Sequence, residues 1–234
     1  MINLGNRSAE TELLDNPAVP FADIKRNMQE LNKINRYLGG HRITIEGVKR
    51  TLLNHKLSIP ITICEIGCGG GDNLQALSDW CNAKAITCAF IGIDIKPECT
   101  SYAAEQYPGL NAEWITSDYS QVTFNQQPSI IFSSLFCHHF SDDELVLMLR
   151  WMRKNASVGF FINDLHRHPL AYYSIKLLTQ VFSRSYLVKN DAPLSVARGF
   201  LKREWGRILD AAGFEKYYVS WKWAFRHLIV YKND

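Results

Sequence analysis

The 234-residue chain reads as an α/β fold on a seven-stranded, mostly parallel sheet with helices on both faces, and three observations predict it. Between Ile61 and Asn163, short β-branched and aromatic runs alternate with helical periodicity, the pattern of parallel strands joined by helical crossovers. The first run, Ile61-Thr62-Ile63-Cys64-Glu65-Ile66, passes through Gly67-Cys68-Gly69-Gly70-Gly71 into a helical pattern, a strand, a tight turn and a helix start. The last two runs, 216–223 and 225–231, are separated by a single residue, so they form a C-terminal antiparallel hairpin.

The elements follow in order. Residues 1–20 are polar, carry Asp15-Asn16-Pro17 and Pro20, and predict a flexible or irregular arm. From Asp23, Ile24, Met28, Leu31, Ile34 and Leu38 recur at helical spacing until Gly39-Gly40 stops the helix. Thr44 caps a second helix running to about His55, and Ser58-Ile59-Pro60 leads into the first strand. After the glycine turn come a helix over 73–82, a strand over 87–94, a helix opened by Pro97 and closed before Pro108-Gly109, and strands over 112–116 and 129–135. Ser141-Asp142-Asp143-Glu144 is a capping box for a helix to about Lys154, and 157–163 is the fifth strand. Residues 164–200 interrupt the alternation with an aromatic amphipathic helix over 170–182 and a loop at Asn190-Asp191-Ala192-Pro193. A helix over 202–212 precedes the hairpin. The organisation is an arm and two covering helices (1–58) ahead of a core (59–234) with an insertion at about 164–200.

Composition narrows the class. An apolar content of 47% with 21% charge is ordinary for a globular chain, and a net charge of +3 without a block of like charges excludes a nucleic-acid tract. Cys64, Cys68, Cys81, Cys88, Cys99 and Cys137 form no Cys-x-x-Cys pair, so they predict reduced, mostly buried thiols in a cytoplasmic protein. No stretch reaches the ~18 apolar residues of a spanning helix, so no membrane partner is expected.

The glycine turn fixes the ligand class. A dinucleotide fingerprint counted from Gly67 requires its third glycine at position 72, where Asp72 stands. Glu65, two residues ahead of the turn, repels a pyrophosphate and suits a cation. Glu65-x-Gly67-x-Gly69-x-Gly71 resembles the first motif of the class I S-adenosylmethionine (SAM) dependent methyltransferases, of the small-molecule type, whose fold is Rossmann-like. The resemblance covers roughly residues 60–163 and the hairpin. It implies that Glu65, Gly67, Cys68, Gly69 and Gly71 surround the amino-acid end of SAM, and that Ile95 lies on the adenine with Asp118 and Tyr119 at its edge. It also implies that Ser134 and Leu135 lie near the SAM amino group. Asp94 closes the second strand, where its carboxylate can accept both ribose hydroxyls. The helices before the first strand become a lid, with Arg36 or Arg42 pairing with the SAM carboxylate.

The fourth strand ends in Ser133-Ser134-Leu135-Phe136-Cys137-His138-His139. It lacks the Asn/Asp-Pro-Pro-aromatic sequence of nucleic-acid adenine methyltransferases. It also lacks the acid of metal-dependent catechol-type enzymes, so no metal is expected. A hydroxyl acceptor benefits from a base, because a phenol of pKa about 10 is mostly protonated at neutral pH. His139, His138 and His166 stand at carboxyl ends of strands, where open α/β sheets bind ligands. The expectation is methyl transfer to a small aromatic or polyketide-like acceptor, at oxygen before carbon, by a monomer or homodimer. The alternatives are a macromolecular acceptor, protein or RNA, and a non-catalytic SAM-binding partner protein.

Overall fold

The computed structural model describes residues 3–54 and 60–233. The elements are α1 (Phe21–Tyr37), α2 (Gly40–Leu52), β1 (Ile61–Ile66), α3 (Asp72–Ala83), β2 (Cys88–Asp94), α4 (Pro97–Gln106), β3 (Ala112–Thr116), β4 (Ile130–Ser134), α5 (Asp142–Asn155), β5 (Gly159–Leu165), α6 (Pro169–Phe182), α7 (Tyr186–Arg198), α8 (Lys202–Ala211), β6 (Tyr218–Lys222) and β7 (Arg226–Lys232). The sheet order is β3-β2-β1-β4-β5-β7-β6. β1 to β5 pair in parallel, and β7 lies antiparallel between β5 and β6. The chain goes outward from β1 through β2 to β3 and then returns to β4 on the other side. That reversal opens a crevice at the carboxyl ends of β1 and β4, the place where open α/β sheets take ligands.

Two apolar layers hold the sheet. Leu145, Met148, Leu149 and Met152 of α5, with Trp205, Ile208 and Leu209 of α8, cover one face. Ile43 and Val48 of α2, with Leu74, Leu77 and Cys81 of α3, cover the other. The central strands are buried on both sides, which is why they read as continuous apolar runs.

Four local expectations are corrected. The arm is irregular but not loose: Ser8 N–H donates to the Ala197 carbonyl at 3.0 Å, and Glu12 is buried. Thr44 is an interior residue of α2, donating to the Gly40 carbonyl, while the helix starts after Gly39. The segment around Asn190-Asp191-Ala192-Pro193 is helical within α7 rather than a loop. The tertiary bonds of Asp191, which accepts from the N–H groups of Leu13 and Leu14, override the proline signal. The insertion starts after Leu165, because Asp164 and Leu165 extend β5 against His227 and Arg226. The expected helix end at His55 and the lead-in at Ser58-Ile59 lie outside the described residues.

Of the two helices ahead of β1, α1 covers the crevice. α2 packs onto β5 and β7 through Gly47, where an added Cβ would lie 2.3 Å from the Phe161 ring. Gly47→Ala is expected to lower stability by about 1–3 kcal/mol through overpacking. Urea unfolding should show a lower midpoint with an unchanged slope, and an unmoved midpoint would refute this close approach.

Candidate functional site

Two cavities meet at the crevice. The first, about 370 Å³, runs from the glycine turn past the ends of β2 and β3 beneath α1. The second, about 330 Å³, is walled by α1, α6, α7 and the β6–β7 turn. Both volumes fall in the range of small-molecule sites. Leu14, Leu31, Asn35, Leu135 and His139 line both.

The first cavity is assembled from the predicted turn. Gly67, Cys68, Gly69, Asp94, Ile95, Asp118, Tyr119, Ser134 and Leu135 line it. Gly69 has φ +50°, and a Cβ placed there would meet nothing within 4 Å, so its bare backbone faces open space. Its N–H donates to Asp94 Oδ2 at 2.9 Å, and the Lys96 N–H donates to Oδ1 at 3.0 Å. These two bonds orient the Asp94 carboxylate and leave lone pairs for a further donor. Burial raises the Asp94 carboxyl above its ordinary range, against the pull of the Lys96 and Gly69 N–H groups. The lining carries four carboxylates, Asp15, Asp72, Asp94 and Asp118, against one lysine, Lys96. That balance favours a cationic ligand over a pyrophosphate.

Several predicted contacts fall elsewhere. Glu65 does not line the cavity. It is buried behind Asn73, whose Nδ2 donates to Oε1 at 2.8 Å, while Oε2 has no partner. Burial and then the Asp72 charge push its carboxyl well above the carboxylate range. Asn73 is therefore the group that reaches the cavity, one helical residue into α3. Gly71 packs under Trp114, and Gly70 takes its place in the lining. Arg36 and Arg42 are exposed and line neither cavity, because they stand off the inward stripe of their helices. Asn27 and Asn35, on the stripe of Ile24, Met28 and Leu31, point inward instead, a signal the helical spacing already carried. His166 also lines neither cavity; it packs against His227, His168 and Phe225, and burial, then His168, lowers its pKa.

The remaining histidines build the junction. His138 Nδ1 lies 2.8 Å from Asp164 Oδ1, and its Nε2 lies 3.5 Å from Glu12 Oε1. His139 Nδ1 lies 3.3 Å from Asp15 Oδ2, and its Nε2 lies 3.7 Å from Glu12 Oε2. Burial disfavours the His138 cation, but Asp164 and Glu12 outweigh it and raise the pKa to about 9. Burial opposes the charges of Asp164 and Glu12 too, yet the histidines hold both carboxyls below their usual range. Glu12, His138 and His139 bring three donor atoms within 4.8 Å of one another, the spacing of a metal triad. His138 also bridges Asp164 and Glu12 through its two ring nitrogens, which ties the three groups into one charged network. Leu135, next to the pair, has φ +54°, a strained conformation for a non-glycine residue at the meeting point of the cavities. Glu12 and Asp15 went unread in the sequence because a lone acid in a polar arm carries no spacing signal.

Residues 63–159 match the family model described as a methyltransferase domain. The fold is the Rossmann-like methyltransferase fold. The chain is similar to the plantazolicin methyltransferase BpumL in complex with SAH (TM-score 0.70, 17% identity, covering 94% of this chain and 92% of that one). It is also similar to magnesium protoporphyrin IX methyltransferase from Synechocystis PCC 6803 with bound SAM (TM-score 0.54, 14% identity, 94% and 100% covered). A third similar structure is a putative O-methyltransferase from Nostoc punctiforme PCC 73102 (TM-score 0.59, 13% identity, 87% and 59% covered). No curated protein matches the sequence.

The His138 network carries a pH signature. Its folded pKa of about 9 exceeds the ordinary 6.5. Its stabilisation is therefore complete below about pH 6.5 and is lost as pH rises through about 9. The melting temperature should fall across that window, and His138→Gln should flatten the decline. An equally steep decline in the variant would contradict the assignment.

Proposed function

We propose that this chain transfers a methyl group from SAM, held in the first cavity, to a small apolar acceptor in the second, at a hydroxyl oxygen, with His139 as the base. The observation that carries the reading is the junction itself: an acid-lined cavity and an apolar cavity share one wall, and His139 is its titratable side chain. SAM, when bound, supplies an electrophilic methyl on a sulfonium. The acid balance of the first cavity suits that cation. The oriented Asp94 carboxylate suits a pair of ribose hydroxyls, and Ile95, Asp118 and Tyr119 lie where an adenine would be bordered. Asn73, held by Glu65, and the strained Leu135 backbone stand at the amino-acid end.

The chain's own work is alignment and proton handling. Asp15 fixes the His139 ring at Nδ1, leaving Nε2 to take the acceptor proton. The Glu12 carboxylate lies 3.7 Å from Nε2. His138 lies between Glu12 and Asp164, and the histidines hold both carboxyls below their usual range, which makes them poor bases. The apolar walls formed by Ile34, Leu38, Ile175 and Val196 exclude water. A macromolecular acceptor fits a walled cavity of about 330 Å³ poorly.

Two measurements test this. His139→Ala should reduce turnover of a phenolic acceptor about 10²–10⁴-fold, with SAH affinity by calorimetry unchanged. Unchanged turnover would remove the base role and leave proximity alone. Asp94→Ala should weaken SAH binding at least about tenfold, as expected for loss of a charge-assisted bond pair. Absence of SAH binding by the native chain would sink the methyl-transfer reading.

A further inference from the structure

α6 is apolar almost all round. Its 14 residues, PLAYYSIKLLTQVF, carry one charge, Lys176, and span about 21 Å. Ala171, Ser174, Ile175 and Leu178 face the second cavity. One helical step away, Leu170, Tyr173, Leu177, Val181 and Phe182 are each more than half exposed. A helix that is hydrophobic on both faces normally belongs inside a core or at a lipid boundary. Across the cavity mouth, Trp223, itself two-thirds exposed, extends the same apolar rim. The exposed charges carried by α6 and the turn after it are basic, while the acid that reaches the end of α6, Glu30 of α1, is taken up by Ser183 and the N–H groups of Arg184 and Ser185. From His166 to Asn190 the chain contains no acid, and its exposed or half-exposed charged side chains are Lys176, Arg184 and Lys189.

We infer that the outer face of α6 docks on an anionic lipid bilayer surface. Apolar side chains that penetrate the headgroup region beside basic ones are the physical signature of an interfacial helix. A second copy of the chain is the poorer occupant. A two-fold contact would bring together two faces whose exposed charges on α6 and the turn after it are basic. Leu178 belongs to the cavity wall and is also partly exposed, so the docked face is continuous with the second cavity. An acceptor with an aliphatic portion would enter from the lipid side without crossing water. The docking goes beyond the methyl-transfer reading and stands without it, because vesicle binding needs no turnover.

The test is co-sedimentation of the full chain with phosphatidylcholine vesicles, with and without phosphatidylglycerol. The native chain should pellet with the anionic vesicles, and binding should drop at least about tenfold when salt screens the charges. Leu177→Glu with Val181→Glu should abolish it while SAH affinity and the melting temperature stay as they were. Lys176→Glu with Arg184→Glu, a pair that leaves the apolar face intact, should weaken binding about tenfold or more. The inference is overturned if the native chain stays in solution with anionic vesicles, if it binds neutral vesicles equally well, or if both variant pairs bind like the native chain. It is also overturned if light scattering finds a dimer that Leu177→Glu with Val181→Glu splits.

Discussion

A single buried imidazolium ties the site together. His138 lies between Asp164, on the central strand β5, and Glu12, on the N-terminal arm. Around it, Arg198 donates to the carbonyls of His138 and His139, and Arg7 donates to that of Phe140 at 2.7 Å. Ser195 on α7 donates to Glu12 at 2.7 Å. Sheet, arm, insertion and the turn after β4 therefore share one set of charged hydrogen bonds. Removing one partner of such a buried set leaves an uncompensated charge, at a cost of about 3–5 kcal/mol. These bonds fasten the arm and α7 to the turn after β4, where the second cavity meets the first.

The topology decides where this cluster sits. Strand order reverses between β1 and β4, so the glycine turn after β1 and the His-His turn after β4 open on the same crevice. The two cavities inherit different chemistry from their walls. The first collects the ends of β1, β2 and β3, each followed by a carboxylate or a bare glycine backbone. The second is bounded by helices α1, α6 and α7, which present aliphatic side chains. A polar, cation-favouring compartment beside an apolar one, with a histidine between them, is what transfer from a charged donor to an apolar acceptor needs.

The sheet was readable because its strands are short, apolar and spaced by helices with ordinary start and stop signals. Pro97 and the Ser141 capping box stand where the sequence puts them. The glycine turn and Asp94 were readable for the same reason: backbone requirements leave few residue choices. What escaped depends on contacts distant in sequence. α7 hides behind Pro193 and is held by the arm. Glu12 finds His138 across 126 positions. Charge alone points to Arg36 and Arg42, whereas helical phase places Asn27 and Asn35 inward. Tertiary burial selected the polar groups, and only the phase of the helix carried that information locally.

If the two cavities hold donor and acceptor, they meet at His139, and a crystal structure of the chain with SAH tests this most directly. The adenosine should lie against Asp94 and Ile95, with the sulfur directed at the opening between Leu135 and His139, toward the second cavity. A sulfur turned to bulk solvent, or SAH bound away from the glycine turn, would contradict it.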